Sequence, residues 1–166
     1  MKKLFIPDMY VSSIYLIDIE ILKENEIHGI IIDIDNTLVP WKENHVDGET
    51  INFIENLLEK GFRICILSNN TKKRVDEFNK RLDLNLPAIH RAIKPGKAAY
   101  KKAMKVLNTN ARQTAVIGDQ ILTDIFGGNR LDLFTILIDP ISSRECFGTR
   151  LVRRIENLIL KRIKGE

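Results

Sequence analysis

The sequence predicts an α/β fold: a single doubly wound parallel sheet of about five strands. Three observations predict it. Short β-branched apolar runs recur down the chain, each of strand length. Stretches with helical apolar spacing lie between them. The first four of these runs end in polar residues of the same few types: acids, amides, hydroxyls or a lysine. Strictly alternating strands and helices imply parallel pairing through right-handed crossovers. A chain of 166 residues is expected to form one domain, 1–166, large enough to bury its own core.

Residues 1–28 are expected to be a lead-in. Pro7 breaks any early helix, and Asp18 is placed to cap a short helix through Glu24. The first strand is Gly29-Ile30-Ile31-Ile32, running to about Asp35, where Asn36 and Thr37 stop it. A loop with Pro40 and Trp41 follows. Ile51, Ile54, Leu57 and Leu58 share one face of a helix from about Asp47 to Lys60, which Gly61 ends. Phe62 to Leu67 is the second strand, ending at Ser68-Asn69-Asn70. Thr71 caps a charged helix to about Leu82. Pro87 to Ile93 reads as a third strand, ending at Lys94. Pro95 opens a helix to about Leu107, since proline suits a first helical position. Thr114 to Ile117 is a fourth strand, ending at Gly118-Asp119. A helix to about Arg130 and a fifth strand, Leu133 to Ile138, complete the alternation.

Composition narrows the function classes. The chain is 44% hydrophobic and 29% charged, as soluble globular proteins are. No apolar run approaches the length needed to span a bilayer. The start, Met1-Lys2-Lys3-Leu4-Phe5, lacks a sustained apolar segment and a small-residue cleavage site, so no signal peptide is read and a cytoplasmic location is expected. Cys65 lies within an apolar strand and reads as a small core residue; with Cys146 it suggests no disulfide framework. His28, His45 and His90 show no zinc-ligand spacing. The net charge of +4 belongs entirely to residues 148–166, which carry six basic and two acidic side chains.

Parallel strands bring their carboxyl ends to one edge of a sheet, where ligands bind in open α/β folds. The predicted topology therefore gathers Asp33 and Asp35, Ser68 and Asn69, Lys94, and Asp119 and Asp124 at one edge. Taken singly, Ser68 reads as a turn residue, Lys94 as a solvated lysine and Asp119 as a helix cap. Together they supply what phosphoryl transfer needs: a nucleophile, a proton donor, positive charge for the phosphoryl oxygens, and acids to hold a hard cation.

Asp33-Ile34-Asp35-Asn36-Thr37, Ser68, Lys94 and Gly118-Asp119-Gln120-Ile121-Leu122-Thr123-Asp124 resemble, in order, the four motifs of the haloacid dehalogenase (HAD) phosphohydrolases. Ile6-Pro7-Asp8, Trp41, Ser68-Asn69-Asn70 and Gly127-Gly128-Asn129-Arg130 resemble in particular the YqeG family of IIIA-type HAD phosphatases, which is similar to the phosphatidylglycerophosphatases. The likeness covers essentially the whole chain. It implies a HAD-type Rossmann-like fold and a Mg²⁺-dependent phosphomonoester hydrolase. It implies Asp33 as the nucleophile, Asp35 as acid and base, and Thr37 as a support for the loop. It implies Ser68, Asn69 and Lys94 around the phosphoryl group. It implies Asp33, Asp35 (through its backbone carbonyl), Asp119 and Asp124 at the metal, with Asp124 serving either the metal or Lys94. The order of the motifs excludes a receiver domain, whose phosphoacceptor comes after its acidic pair.

The resemblance implies two places for a cap domain, after the nucleophile loop and between the second and third motifs. Neither gap here is long enough, so no cap domain and an open site are expected, with Trp41 either lining the entrance or packing over the sheet edge. An open site suits a membrane phospholipid or another large substrate, or a partner protein that supplies the lid. The alternatives are a phosphatase for a protein, nucleotide or nucleic-acid end, and a weak docking module. At ~100° per residue, Arg150, Arg153, Arg154, Lys161 and Lys164 share one face of a C-terminal helix, opposite Val152, Ile155, Ile159 and Ile163. That face reads either as the solvated side of a packed helix or as a peripheral contact with an anionic membrane at its inner face. Nucleic acid is disfavoured, because no basic stretch is interleaved with aromatics. Oligomeric state leaves no mark on the sequence.

Overall fold

Isoleucines alternate sides along the central strand, and helices cover both faces of the sheet it belongs to. The structure is a computed structural model that describes residues 4–142. The basic C-terminal segment 148–166 and Cys146 lie outside the described residues. The strands are β1 (Met9–Val11), β2 (Gly29–Ile32), β3 (Arg63–Leu67), β4 (Ala88–Ile89), β5 (Thr114–Gly118) and β6 (Phe134–Ile138). They form one parallel sheet in the order β1-β6-β5-β2-β3-β4. The helices are α1 (Ile19–Glu24), α2 (Gly48–Glu59), α3 (Lys72–Leu82), α4 (Lys97–Leu107) and the short α5 (Phe126–Asn129).

Along β2, Ile30 and Ile32 join the core under α2 and α3, with Ile54, Leu57, Val75 and Phe78. Ile31 points the other way, into the core under α4 with Cys65, Val116, Tyr100 and Leu107. A strand buried on both faces shows a continuous apolar run, as this one does. Asp18, Asp47 and Thr71 each accept a backbone N–H at the start of α1, α2 and α3, as capping residues should.

The sheet has six strands where five were expected. The extra one, β1, comes from the lead-in and adds to the edge beside β6, Met9 opposite Ile136. Three residues are too few to show a period, and this strand is held from outside. The Asp8 carboxylate accepts the Thr135 N–H at 2.8 Å, and the Asn129 amide donates to the carbonyls of Leu4 and Ile6 at 3.1 and 2.9 Å. The expected third strand shortens to Ala88–Ile89, because the chain turns through left-handed residues at Arg91 and Ile93. Pro95 does not open α4; it follows a cis peptide bond, and the helix starts at Lys97 after Gly96. The expected helix after Asp119 divides into a π-helical turn, Ile121–Ile125, and then α5.

β2 sits between β3 and β5. The chain leaves β2 toward one side of the sheet and later returns to its other side. The crevice between the carboxyl ends of β2 and β5 is therefore the topological switch point.

Candidate active site

Three backbone N–H groups, of Thr37, Leu38 and Val39, converge on the Ile34 carbonyl at 3.2, 2.9 and 3.2 Å. Asn36, in the left-handed region, lets the chain fold back so tightly. This turn fixes the two aspartates that leave β2. Asp33 is buried at the switch point, and Asp35 lies beyond it in a cleft of about 700 Å³.

β3 delivers Ser68, whose hydroxyl oxygen accepts the Asn70 N–H at 3.1 Å. Asn69 works across the cleft floor. Its carbonyl oxygen accepts the Lys94 N–H at 2.7 Å, and its amide nitrogen donates to the Lys94 carbonyl at 3.4 Å. One side chain thus pins the backbone of Lys94. Lys94 reaches inward, its Nζ 2.6 Å from Asp33 Oδ1 and 2.7 Å from Asp124 Oδ1.

β5 delivers Asp119, 2% exposed, near which Thr37 Oγ1 stands at 3.5 Å from Oδ1. The π-helical turn brings Asp124 back under the strand end. Its Oδ2 accepts the Gln120 N–H and the Thr123 hydroxyl at 3.3 and 3.2 Å. Tyr100 steadies the turn from α4 by donating to the Thr123 carbonyl at 2.7 Å. The turn closes only because residue 118 is glycine: a Cβ there would stand 2.3 Å from Asp124 Cγ.

The electrostatics follow from burial. Asp33, Asp119 and Asp124 each offer an oxygen within 4.8 Å of the others'. Lys94 is the lysine among them, so the fully ionised cluster would carry two negative charges in excess. Burial, with help from Asp124 and Asp35, pushes the Asp33 carboxyl up to about 7 against the pull of Lys94. Burial works to lower the Lys94 ammonium, but Asp124 and Asp33 outweigh it and hold it well above the ordinary lysine range. An all-oxygen set with this charge excess fits a hard divalent cation such as Mg²⁺.

Asp35 stands apart from that cluster. Its Oδ1 accepts from Arg74 Nη2 at 2.8 Å and Nε at 3.2 Å, and its Oδ2 accepts from Asn70 Nδ2 at 3.1 Å. Arg74 also donates to the side-chain carbonyl of Asn44. Asp33, Asp35, Ser68, Asn69 and Lys94 line the cleft; Thr37, Asp119 and Asp124 support it from below. Trp41 lies at the mouth with the Lys42 ammonium 4.3 Å over its ring.

Arg74, Asn70, Asn44 and Tyr100 were not expected at the site. Arg74 did leave a signal. It lies four residues before Phe78, on the apolar side of α3 with Val75 and Leu82, where a lone arginine needs a partner. Asn70 and Asn44 read as ordinary turn residues, and Tyr100 as ordinary core.

A family model described as mitochondrial PGP phosphatase matches residues 1–142 of the chain. The chain is 40% identical to the probable phosphatase YqeG of Bacillus subtilis, over 99% of its own length and 94% of that protein's. It is 26% identical to phosphatidylglycerophosphate phosphatase 1, chloroplastic/mitochondrial, of Arabidopsis thaliana, over 97% of its own length but only 49% of that protein's. A solved HAD phosphatase from Thermococcus onnurineus shares the fold at a TM-score of 0.54 and 21% identity, over 62% of this chain and 51% of that one. A solved HAD subfamily IIIA hydrolase from Legionella pneumophila, described as putative, does so at 0.54 and 19%, over 74% and 71%.

Proposed function

The chain belongs to the PGP phosphatase family of HAD-type phosphatases, and on that premise we propose that it hydrolyses phosphatidylglycerophosphate, with Mg²⁺ bound and a phosphoaspartate formed on Asp33. The observation that carries the chemistry is the Lys94 ammonium, 2.6 Å from Asp33 and 2.7 Å from Asp124 at the switch point, with Asp35 standing two residues on in the cleft.

Asp33 attacks phosphorus as the bond to the leaving oxygen breaks, and Asp35 gives that oxygen its proton. Water then attacks the phosphorus of the acyl phosphate. Asp35 takes the water's proton, and the bond to Asp33 breaks to release phosphate. Ser68 and the backbone N–H groups near Asn69 bind the phosphoryl oxygens, Lys94 offsets their charge, and Thr37 supports the loop. Asp33 and Asp119, with the backbone carbonyl of Asp35, would hold Mg²⁺, which supplies further positive charge to the phosphoryl group. Asp124 serves Lys94. The lipid as substrate is supported by the family and by an open cleft with no cap domain over it among the described residues.

The test is phosphate release from phosphatidylglycerophosphate, an aryl phosphate, nucleotides and a phosphopeptide, with Asp33→Asn run alongside. Preference for the lipid that disappears in the variant is expected. A variant as active as wild type would overturn the nucleophile, and preference for another substrate would overturn the lipid.

A further inference from the structure

Residues 84–118 contain seven basic side chains and no acidic one. Four of the seven, Lys97, Lys101, Lys102 and Lys105, belong to α4, and all four are exposed. At ~100° per residue they span an arc of ~140°. The opposite side of the helix, with Tyr100 and Leu107, is buried against the sheet. The exposed side is therefore a cationic stripe that includes Ala98 and is bordered by Val106.

The lysines of α1 and of the first turn of α3 have acidic partners. Lys23 pairs with Glu20 in α1, and in α3 Lys72 and Lys73 stand beside Asp76 and Glu77. The α4 lysines make no ion pair among the described residues. Lys97 and Lys101, and again Lys101 and Lys105, stand four apart and repel each other. A merely solvated surface is ordinarily mixed in sign.

The stripe begins at the functional edge, since α4 starts just after the Lys94 loop. In that loop Ile93 is 81% exposed and held at a φ of 55°. For a β-branched residue this conformation is an outlier, of the kind that clusters at ligand clamps and active sites. Exposed Arg91 adds charge in the same loop.

We infer that the lysine stripe of α4, with Ile93 at its head, is the surface by which the protein lies on an anionic phospholipid bilayer. The lysines meet lipid phosphates, Ile93 enters the acyl boundary, and the cleft beside Lys94 comes to headgroup level. The choice of a bilayer rests on the phospholipid reading above and on a cationic stripe joined to an unshielded aliphatic side chain. Single-stranded nucleic acid calls for stacking aromatics, which the exposed stripe lacks.

The test is cosedimentation of the full chain with phosphatidylcholine vesicles, with and without phosphatidylglycerol. It compares wild type, Ile93→Ser, and the triple variant Lys97→Gln, Lys101→Gln, Lys105→Gln. Wild type is expected to bind only the anionic vesicles. The triple variant is expected to lose about 100-fold in binding, at about fivefold per lysine, with aryl phosphate turnover unchanged. Ile93→Ser is expected to weaken binding severalfold. Equal vesicle binding by the triple variant and wild type would overturn the inference, as would tighter wild-type binding to an oligonucleotide. Phosphatidylglycerophosphate in neutral detergent micelles separates the two readings. Vesicle binding that depends on the lysines, without hydrolysis in micelles, would sink the substrate and leave the surface standing. Equal hydrolysis in micelles, with vesicle binding unaffected by the lysines, would do the reverse.

Discussion

Arg74 grips Asp35 by a single carboxylate oxygen, Nη2 at 2.8 Å and Nε at 3.2 Å, while Asn70 holds the other oxygen at 3.1 Å. The proposed acid and base is thus aimed by α3 and by the end of β3, not by its own strand. Removing Arg74 leaves a largely buried carboxylate short of its cation. Arg74→Ala is expected to lower kcat on an aryl phosphate by roughly 10²-fold, within the range of general acid–base effects. Combining it with Asp35→Asn is expected to cost little beyond Asp35→Asn alone, because the two act as a unit. Steady-state kinetics of the two single variants and the double variant check this.

Asp33 costs the metal-free protein stability at neutral pH. Its folded carboxyl lies at about 7 against an ordinary value of 3.8, so between those values the folded state holds more protons than the unfolded one. Stability therefore falls as pH rises from about 4 to about 7. Asp33→Asn abolishes this loss. In EDTA the variant is expected to be more stable than wild type at pH 8 by on the order of a few kcal/mol, hence to melt at a higher temperature, and the difference to shrink toward pH 4. Thermal unfolding at the two pH values reads it directly.

Gly118 leaves Asp124 its space, since an added Cβ would stand 2.3 Å from the Asp124 carboxyl carbon. Gly118→Ala is expected to destabilise the fold by about 1–3 kcal/mol. It is also expected to reduce turnover, because a displaced Asp124 loosens Lys94. Denaturant unfolding and phosphate release measure the two effects separately.

Chelation is expected to abolish turnover, and added Mg²⁺ to restore it. Because the three acids are oxygen donors with excess negative charge, Mg²⁺ at 100 times its Kd should also stabilise the fold by about 2.7 kcal/mol. Loss of that stabilisation in Asp119→Asn would tie the ion to this cluster.

Short apolar runs made β2, β3, β5 and β6 legible in the sequence, helical apolar spacing did so for α2, and the Thr71 cap marked α3. β1 and β4 were hard to read because each is set by its partner strand more than by its own few residues. The π-helical turn was hidden as well: Ile121 and Ile125 suit an ordinary helix, and the wider turn depends on Asp124 fitting beneath Gly118. At the site, Asp33, Ser68, Lys94 and Asp119 stand at strand ends, where parallel topology brings them together. Arg74 and Asn70 reach the same place from α3 and a turn. Spacing along α3 sets Arg74 on an apolar face but does not name its partner, and no spacing marks Asn70.

The order of the strands also bears on how the protein is born. Asp33 and Asp119 become neighbours only when β5 docks against β2, after the intervening chain has crossed the sheet. That contact spans a long loop and forms slowly compared with helices. Activity recovered after dilution from denaturant should therefore lag the return of helical circular dichroism. A nascent chain still lacking β5 would have no assembled catalytic edge.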